Sequence, residues 1–379
     1  MKNVLSEITT QRLLALTRAA LLGTDPDEKL FINAVEADWT ELFELSVVQG
    51  VMVLSLNGSL RLPKDIQPPF NLKLRWIASA ETVEKRYRHS LETAEKLYAN
   101  FKENNIRMML FKGLSLSRLY PVPYSREFGD IDIFLCGKSK EGDAVLKNLA
   151  CKNPNSSKKN TNFNYRGILI ENHYTFLNHV KYYSFHNSEI LENRLLSILN
   201  KAGFIGDAEL VESYQKDESL LFPPPDFNAL YVILHLITHL SSKIVLRYLC
   251  DITILFTAYK GKIDFSLYQD ALSDAGLFKI ASAIISLSVR YLGLNPNDAP
   301  PYESDLSLEN RIWNDMLNPE IPPFPKEKRN LINIFIHKIR LLRSNYWKYE
   351  LVFPGKFRKR ILHSIFFHIS KPKTIGKLR

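Results

Sequence analysis

Residues 125–135 read "SREFGDIDIFL" and set two aspartates one residue apart inside an apolar run. A strand turns successive side chains to opposite faces, so residues i and i+2 share one. Ile131, Ile133 and Leu135 then point one way and Asp130 and Asp132 the other. Two neighbouring carboxylates repel, and burial raises the cost of keeping both charged. The pattern therefore predicts a strand with a cation over its acidic face.

The stretch upstream fits the same chemistry. "NNIRMMLFKG" predicts a turn and a short strand ending at Lys112-Gly113, and "LSLSRLY" returns to helical spacing. Gly113 permits close backbone approach to a ligand, and the first N–H groups of the helix favour a phosphate. Ser115 and Lys112 offer further donors, and Arg126 stands four residues before Asp130, within reach of a triphosphate or of the Asp pair. Downstream, "FNYRGILIENHYTF" alternates as one or two strands, and Glu171 in it is the candidate third oxygen ligand. Glu189 and Glu192 sit in a helical-looking segment and rank behind it. Mg²⁺ takes one or two protein carboxylates together with substrate phosphates, and two such ions can activate a nucleophile and neutralise a leaving group. The bland alternative for Asp130-Ile-Asp132 is a solvated edge strand.

The sequence "MLFKGLSLSRLYPVPYSREFGDIDIFL" resembles the active-site stretch of the DNA polymerase β-type nucleotidyltransferase superfamily. More narrowly it resembles a bacterial family of largely uncharacterised nucleotidyltransferases. That pattern runs L-K-G, a helix ending in Leu-Tyr-Pro, an Arg, then D-hydrophobic-D. "GILIENHY" is similar to the family's Glu-x-His strand, and "ILHLITHL…LRYLCDITIL" to its helical His…Arg…Asp segment, so the likeness spans roughly residues 40–290. The resemblance implies metal-dependent transfer of a nucleoside monophosphate from an NTP to an acceptor. Asp130, Asp132 and Glu171 would hold Mg²⁺, with Glu171 or Asp132 taking the acceptor's proton. Lys112, Gly113, Ser115 and Arg126 would serve the nucleotide. His173, His239, Arg247 and Asp251 are candidate cleft-lining residues. The chain departs from the superfamily where its Gly-Ser pair becomes Gly113-Leu114-Ser115 and the gap to Asp130 lengthens. The Lys-Gly form is also similar to toxin-type nucleotidyltransferases, which have a second Gly where this chain has Leu114. A toxin-like enzyme acting on RNA, or a non-catalytic binding module on the same fold, are the alternative functions.

Other motifs carry bland readings. His235 and His239 are spaced i, i+4 as zinc ligands can be, but position 236 is Leu and an H-E-x-x-H motif needs Glu there. An interior pair or a cleft wall is the better expectation. Arg247 and Asp251, also i, i+4, predict an intrahelical ion pair. His173 would contact substrate or orient Glu171.

Around this centre the rhythm is helical. Residues 1–104 predict helices, with Gly23 as a stop, Asp38 as a cap and a long run over 71–104. Residues 105–222 predict the α/β core, including a polar loop or hairpin tip at "NPNSSKKNTN". Residues 223–300 predict a helical domain capped by Asp226 and packed on the core. Residues 301–379 form a basic helical section. The fold class is thus α/β (α+β), a polymerase β-like core with a small mixed sheet flanked by helical regions.

Composition sets the outer limits. The 379 residues are 45% hydrophobic and 24% charged, an ordinary globular balance. No apolar run reaches the ~18 residues of a membrane helix, and no signal peptide is expected, which predicts a cytoplasmic protein. Cys136, Cys151 and Cys250 lack metal or redox spacing. Net charge is +10, yet from Lys326 onward fifteen Lys/Arg face only Glu327 and Glu350, so the rest of the chain is net acidic. The basic section, with "KFRKRILHSIFFHISKPK" at its heart, reads as a solvated helix, a contact for an anionic macromolecule, or a membrane-surface segment.

Overall fold

The alternation around Asp130 does build a strand. The computed structural model describes residues 7–149, 152–157, 159–179, 184–205, 220–317, 331–359 and 361. Four helices precede the sheet: α1 (Glu7–Leu22), α2 (Glu36–Val48), α3 (Met52–Ser59) and α4 (Phe70–Glu103). The α/β section runs β1 (Met109–Phe111), α5 (Gly113–Ser117), β2 (Asp130–Phe134), α6 (Ser139–Asn148), β3 (Lys152–Ser156), β4 (Asn160–Tyr165) and β5 (Ile168–His173). Helices then resume with α7 (Ser188–Lys201), α8 (Pro225–Leu240), α9 (Leu246–Ala258), α10 (Phe265–Asp274) and α11 (Phe278–Leu292). The last are α12 (Leu306–Leu317), α13 (Leu331–Ser344) and α14 (Tyr346–Val352).

Local chemistry explains the boundaries. Gly23 stops α1 with φ +72°, a conformation that suits a residue without Cβ. Asp38 does not precede its helix as a cap. It sits inside the first turn and accepts the Val35 amide at 3.1 Å, the reach-back half of a capping box. The helical stretch that follows breaks at Gly50, with φ +67°, and divides into α2 and α3. Asp226 likewise lies within the first turn of α8, where its carboxylate accepts the Asp264 amide and ties the start of α10 to it. β4 and β5 form a hairpin across Arg166-Gly167, both at positive φ, the two-residue turn that matches strand twist. The hairpin tip expected within "NPNSSKKNTN" lies there, although strands take up part of the stretch: β3 ends at Ser156 and the antiparallel β4 begins at Asn160.

The five strands lie in the order β1-β2-β5-β4-β3. Only β2 and β5 run parallel, which makes the sheet mixed. Leu221, just before α8, bridges Met109 at the outer edge of β1. At the other edge the β3–β4 pairing shifts register between Lys152 and Asn155.

Each face of the sheet has its own core. Leu110, Ile131, Ile133, Phe163 and Ile170 pack under it against Ala94, Leu97 and Phe101 of α4 and Leu146 of α6. Met109, Phe111 and Phe134 on the other face join the larger cluster that runs through the helices on either side. Asp130 and Asp132 point to this second face, since Asp132 pairs with Phe111 and with Glu171 in register. Among the described residues no helix is long and apolar enough to cross a membrane. Cys136 and Cys250 are buried and free; Cys151 and residues 362–379 of the basic tail lie outside the described residues.

Candidate active site

Strand register assembles the site. β2 and β5 run parallel, with Asp132 opposite Glu171 and Phe134 opposite His173, so the Asp-x-Asp and Glu-x-His side chains share one face. Beneath them the rings of Phe111, Phe176 and Tyr231 meet edge to face, and Phe111 meets His173 in the same way at 5.0 Å. This apolar floor excludes water from one side of the charges and strengthens their interactions.

Asp132 is 2% exposed. Its Oδ1 accepts from Lys112 Nζ at 2.5 Å and from His173 Nε2 at 2.8 Å. His173 Nε2 also lies 3.2 Å from Glu171 Oε2. Both neighbours are carboxylate oxygens, so this nitrogen carries the proton and donates. Burial alone would raise the Asp132 pKa, but Lys112 and His173 together hold it below the usual carboxylate range. Glu171 is lowered too, first by its hydrogen bond with His173. Asp130 behaves in the opposite sense. Burial and the like charge of Asp132 push it up to about 6. The opening pattern thus folds into one satisfied carboxylate and one strained neighbour.

One atom from each of Asp132, Glu171 and His173 lies within 4.8 Å of the others, a spacing that could hold a metal ion. This group differs from the expected ligand set: it includes His173, and Asp130 is outside it. Sequence reading gave His173 a supporting place, because a Glu-x-His strand shows that the two share a face but not which carboxylate the imidazole meets.

Lys112 reaches Asp132 through an unusual backbone, with φ 54° and ψ −117° just before the helix begins. Gly113 is buried, and a Cβ there would meet the ring of Phe128 at 3.1 Å, so packing accounts for its missing side chain. Ser115 is fully buried and its hydroxyl has no hydrogen-bond partner among the described residues.

Arg126 was expected to reach a triphosphate or to balance the strand aspartates, and among the described residues it pairs with neither Asp130 nor Asp132. Its Nε and Nη2 donate to both oxygens of Asp251 on α9, at 2.8 and 3.0 Å, and Nη1 reaches the Gly113 carbonyl at 3.4 Å. The Tyr120 hydroxyl donates to the same Asp251 oxygen at 2.7 Å. A planar fork matches a carboxylate on both nitrogens, and all three side chains are buried, so this pairing prevails. The expected Arg247–Asp251 pair is displaced by it. Arg247 instead donates to the Glu127 carbonyl and lies over the Tyr248 ring.

His235 and His239 meet edge to face at 4.5 Å, and His239 stacks on Tyr248 at 5.3 Å. Burial, with Lys112 and Arg247 nearby, lowers His239 to about 4. They belong to no metal-spaced group among the described residues. Glu192 accepts the amides of Phe176 and Leu177, a structural role. Lys159 was missed at the sequence level. It lies close enough to Lys112, Asp132 and Glu171 to share their electrostatics, yet in the chain it is one of two lysines in a polar turn.

Comparison with known proteins adds one finding to this geometry. A family model described as an uncharacterised nucleotidyltransferase matches residues 35–293, well over half of the chain. No curated protein and no solved structure matches it.

Proposed function

For a chain that belongs to the uncharacterised nucleotidyltransferase family, we propose transfer of a nucleoside monophosphate from an NTP to an acceptor nucleophile. The observation that carries this reading is the placement of Asp132, Glu171 and His173 on one sheet face, with Asp130 beside them and Lys112 at their edge. The donor set suits a hard divalent cation, because carboxylate oxygens dominate it. The burial and the like charge that push Asp130 up to about 6 are a cost that a cation would relieve. Asp130, Asp132 and Glu171 would hold Mg²⁺, which when bound supplies positive charge to the phosphates as a Lewis acid.

The chain's own residues have distinct tasks. An acceptor oxygen bonds to the α-phosphorus while the bond from that phosphorus to the bridging oxygen breaks, and pyrophosphate leaves. Glu171, more open to the cleft than Asp132, takes the acceptor's proton. His173 donates to Asp132, lies 3.2 Å from Glu171, and fixes the orientation of both. Lys112 neutralises phosphate charge at the end of β1. The orphaned Ser115 hydroxyl supports a phosphate contact at the start of α5, since an unmade buried hydrogen bond costs about 1–3 kcal/mol. The basic C-terminal section leaves room for an anionic acceptor such as RNA.

Calorimetric titration with each of the four NTPs, with and without Mg²⁺, tests the reading. The intact chain should bind at least one NTP in a Mg²⁺-dependent way, and Asp130→Asn/Asp132→Asn should weaken that binding more than 100-fold. Absence of binding for all four in the intact chain would sink the transferase reading.

A further inference from the structure

Beside the carboxylates lies a cation that the roles above leave unused. A small cavity of about 30 Å³ opens between the end of β5 and α8, walled by Phe176, Tyr231, His235, Thr238, Asn178 and Lys159. It has room for a water or the oxygens of an anion, and none for a base. Lys159 is fixed by its backbone on both sides. Ser157 Oγ accepts the Lys159 and Asn160 amides at 3.1 Å each, and the Lys159 carbonyl accepts from Tyr174 at 2.8 Å and Thr175 at 3.3 Å. The next residue, Asn160, pairs in register with His173. A two-sided attachment of this kind fixes the backbone of residue 159 at the end of β5, and its side chain lines the cavity.

The Lys159 ammonium makes no hydrogen bond or ion pair among the described residues. Burial, with Lys112 close by, lowers its pKa to about 8. Asp132, Glu171 and Glu192 attract this charge without pairing with it, and a largely buried ammonium beside a second cation is unfavourable unless an anion joins them. Asp132 is already satisfied by Lys112 and His173, and Glu192 by two backbone amides. Glu171 is held by His173, and none of the three carboxylates pairs with Lys159 among the described residues, so its ammonium is open to an anion from outside the chain.

We propose that Lys159 binds the departing pyrophosphate, as a second ammonium opposite Lys112 on the carboxylate face. This rests on the nucleotidyltransferase reading. As the bond to the α-phosphorus breaks, its electron pair stays on the bridging oxygen of pyrophosphate, and Lys159 donates a hydrogen bond to that growing charge. The acceptor's proton goes to Glu171, and Lys159 neither gains nor loses one.

The test uses the full chain in Mg²⁺ buffer, titrated with inorganic pyrophosphate and, separately, with AMP. Lys159→Ala should weaken pyrophosphate binding at least 10-fold and leave AMP binding within twofold. Lys159→Arg, which keeps the charge, should stay within threefold of the intact chain for both. The melting temperature of Lys159→Ala should not fall, since an unpaired buried charge has been removed; Lys159→Met is the second variant should Ala fold poorly. Unchanged pyrophosphate affinity in Lys159→Ala or Lys159→Met, while the intact chain binds, overturns the role of Lys159 and leaves the transferase reading standing. An intact chain that binds neither pyrophosphate nor any NTP overturns both.

Discussion

Lys112 holds its place at some cost. Its φ of 54° with ψ of −117° is a region that side-chain-bearing residues avoid, worth of order 1–3 kcal/mol. The return is its contact with Asp132, a carboxylate with almost no solvent. Removing the cation should therefore cost more than the strain it releases. We expect Lys112→Met to destabilise the metal-free protein by about 3–5 kcal/mol, the usual penalty for orphaning a buried charge. Adding Asp132→Asn should recover much of that loss, and urea unfolding of the single and double variants measures both. At this scale the sequence revealed half of the site. Asp130, Asp132, Glu171 and His173 were legible because a period of two places them on common faces. The partner of Lys112 was not, since it depends on which residue of β2 faces Phe111. Lys159 had no local signal at all, because its surroundings come from α8, some 70 residues later in the chain.

Among the elements, the contact that most directly fixes the core to the helices is Arg126 with Asp251. It joins the loop before β2 to α9 across 125 residues of sequence. Tyr120, at the end of the segment that follows α5, reaches the same carboxylate. The Arg, the Tyr and the Asp were each visible in the chain. Spacing favoured Arg247 for Asp251, because i, i+4 neighbours are the only partners that a helical pattern can display. Tertiary geometry offered a better donor, a fork held at two good distances in a buried site. Asp251→Asn keeps the shape and removes the charge, so we expect a loss of about 3 kcal/mol or more. Arg126→Met/Asp251→Leu should lie closer to the intact chain than Asp251→Asn alone, as read by thermal unfolding. A double variant no more stable than the single one would mean that the pair matters for packing and not for charge.

The molecule as a whole is joined by one large buried cluster, which runs from Leu13 in α1 to Phe353 beyond α14. Changes of rhythm near residues 104, 222 and 300 marked sections of sequence, and this cluster passes through all of them. Its stability should respond to acid in a defined window. His239 is lowered to about 4 and His235 lies well below its ordinary 6.5, burial being the first cause in both. Between pH 6.5 and 4 the unfolded chain therefore binds protons that the folded chain refuses, so stability falls as pH falls. Asp130, raised to about 6, acts in the opposite direction below that pH, because the folded chain protonates it first. Two histidines against one aspartate leave a net loss, which we place at roughly 2–4 kcal/mol between pH 7 and 4.5. His239→Gln should flatten the slope in urea titrations at the two pH values. The two rims of the sheet carry a different consequence. A row of open amides and carbonyls invites another chain to add a strand, the first step toward amyloid-like stacking. Here β1 is three residues long and is met by Leu221, while β3 contains Pro154, which has no amide to offer, at its register shift. The strands that bring the carboxylates together are thus enclosed by two poor templates, and crowding in the cell gives them little means of growing into a fibre.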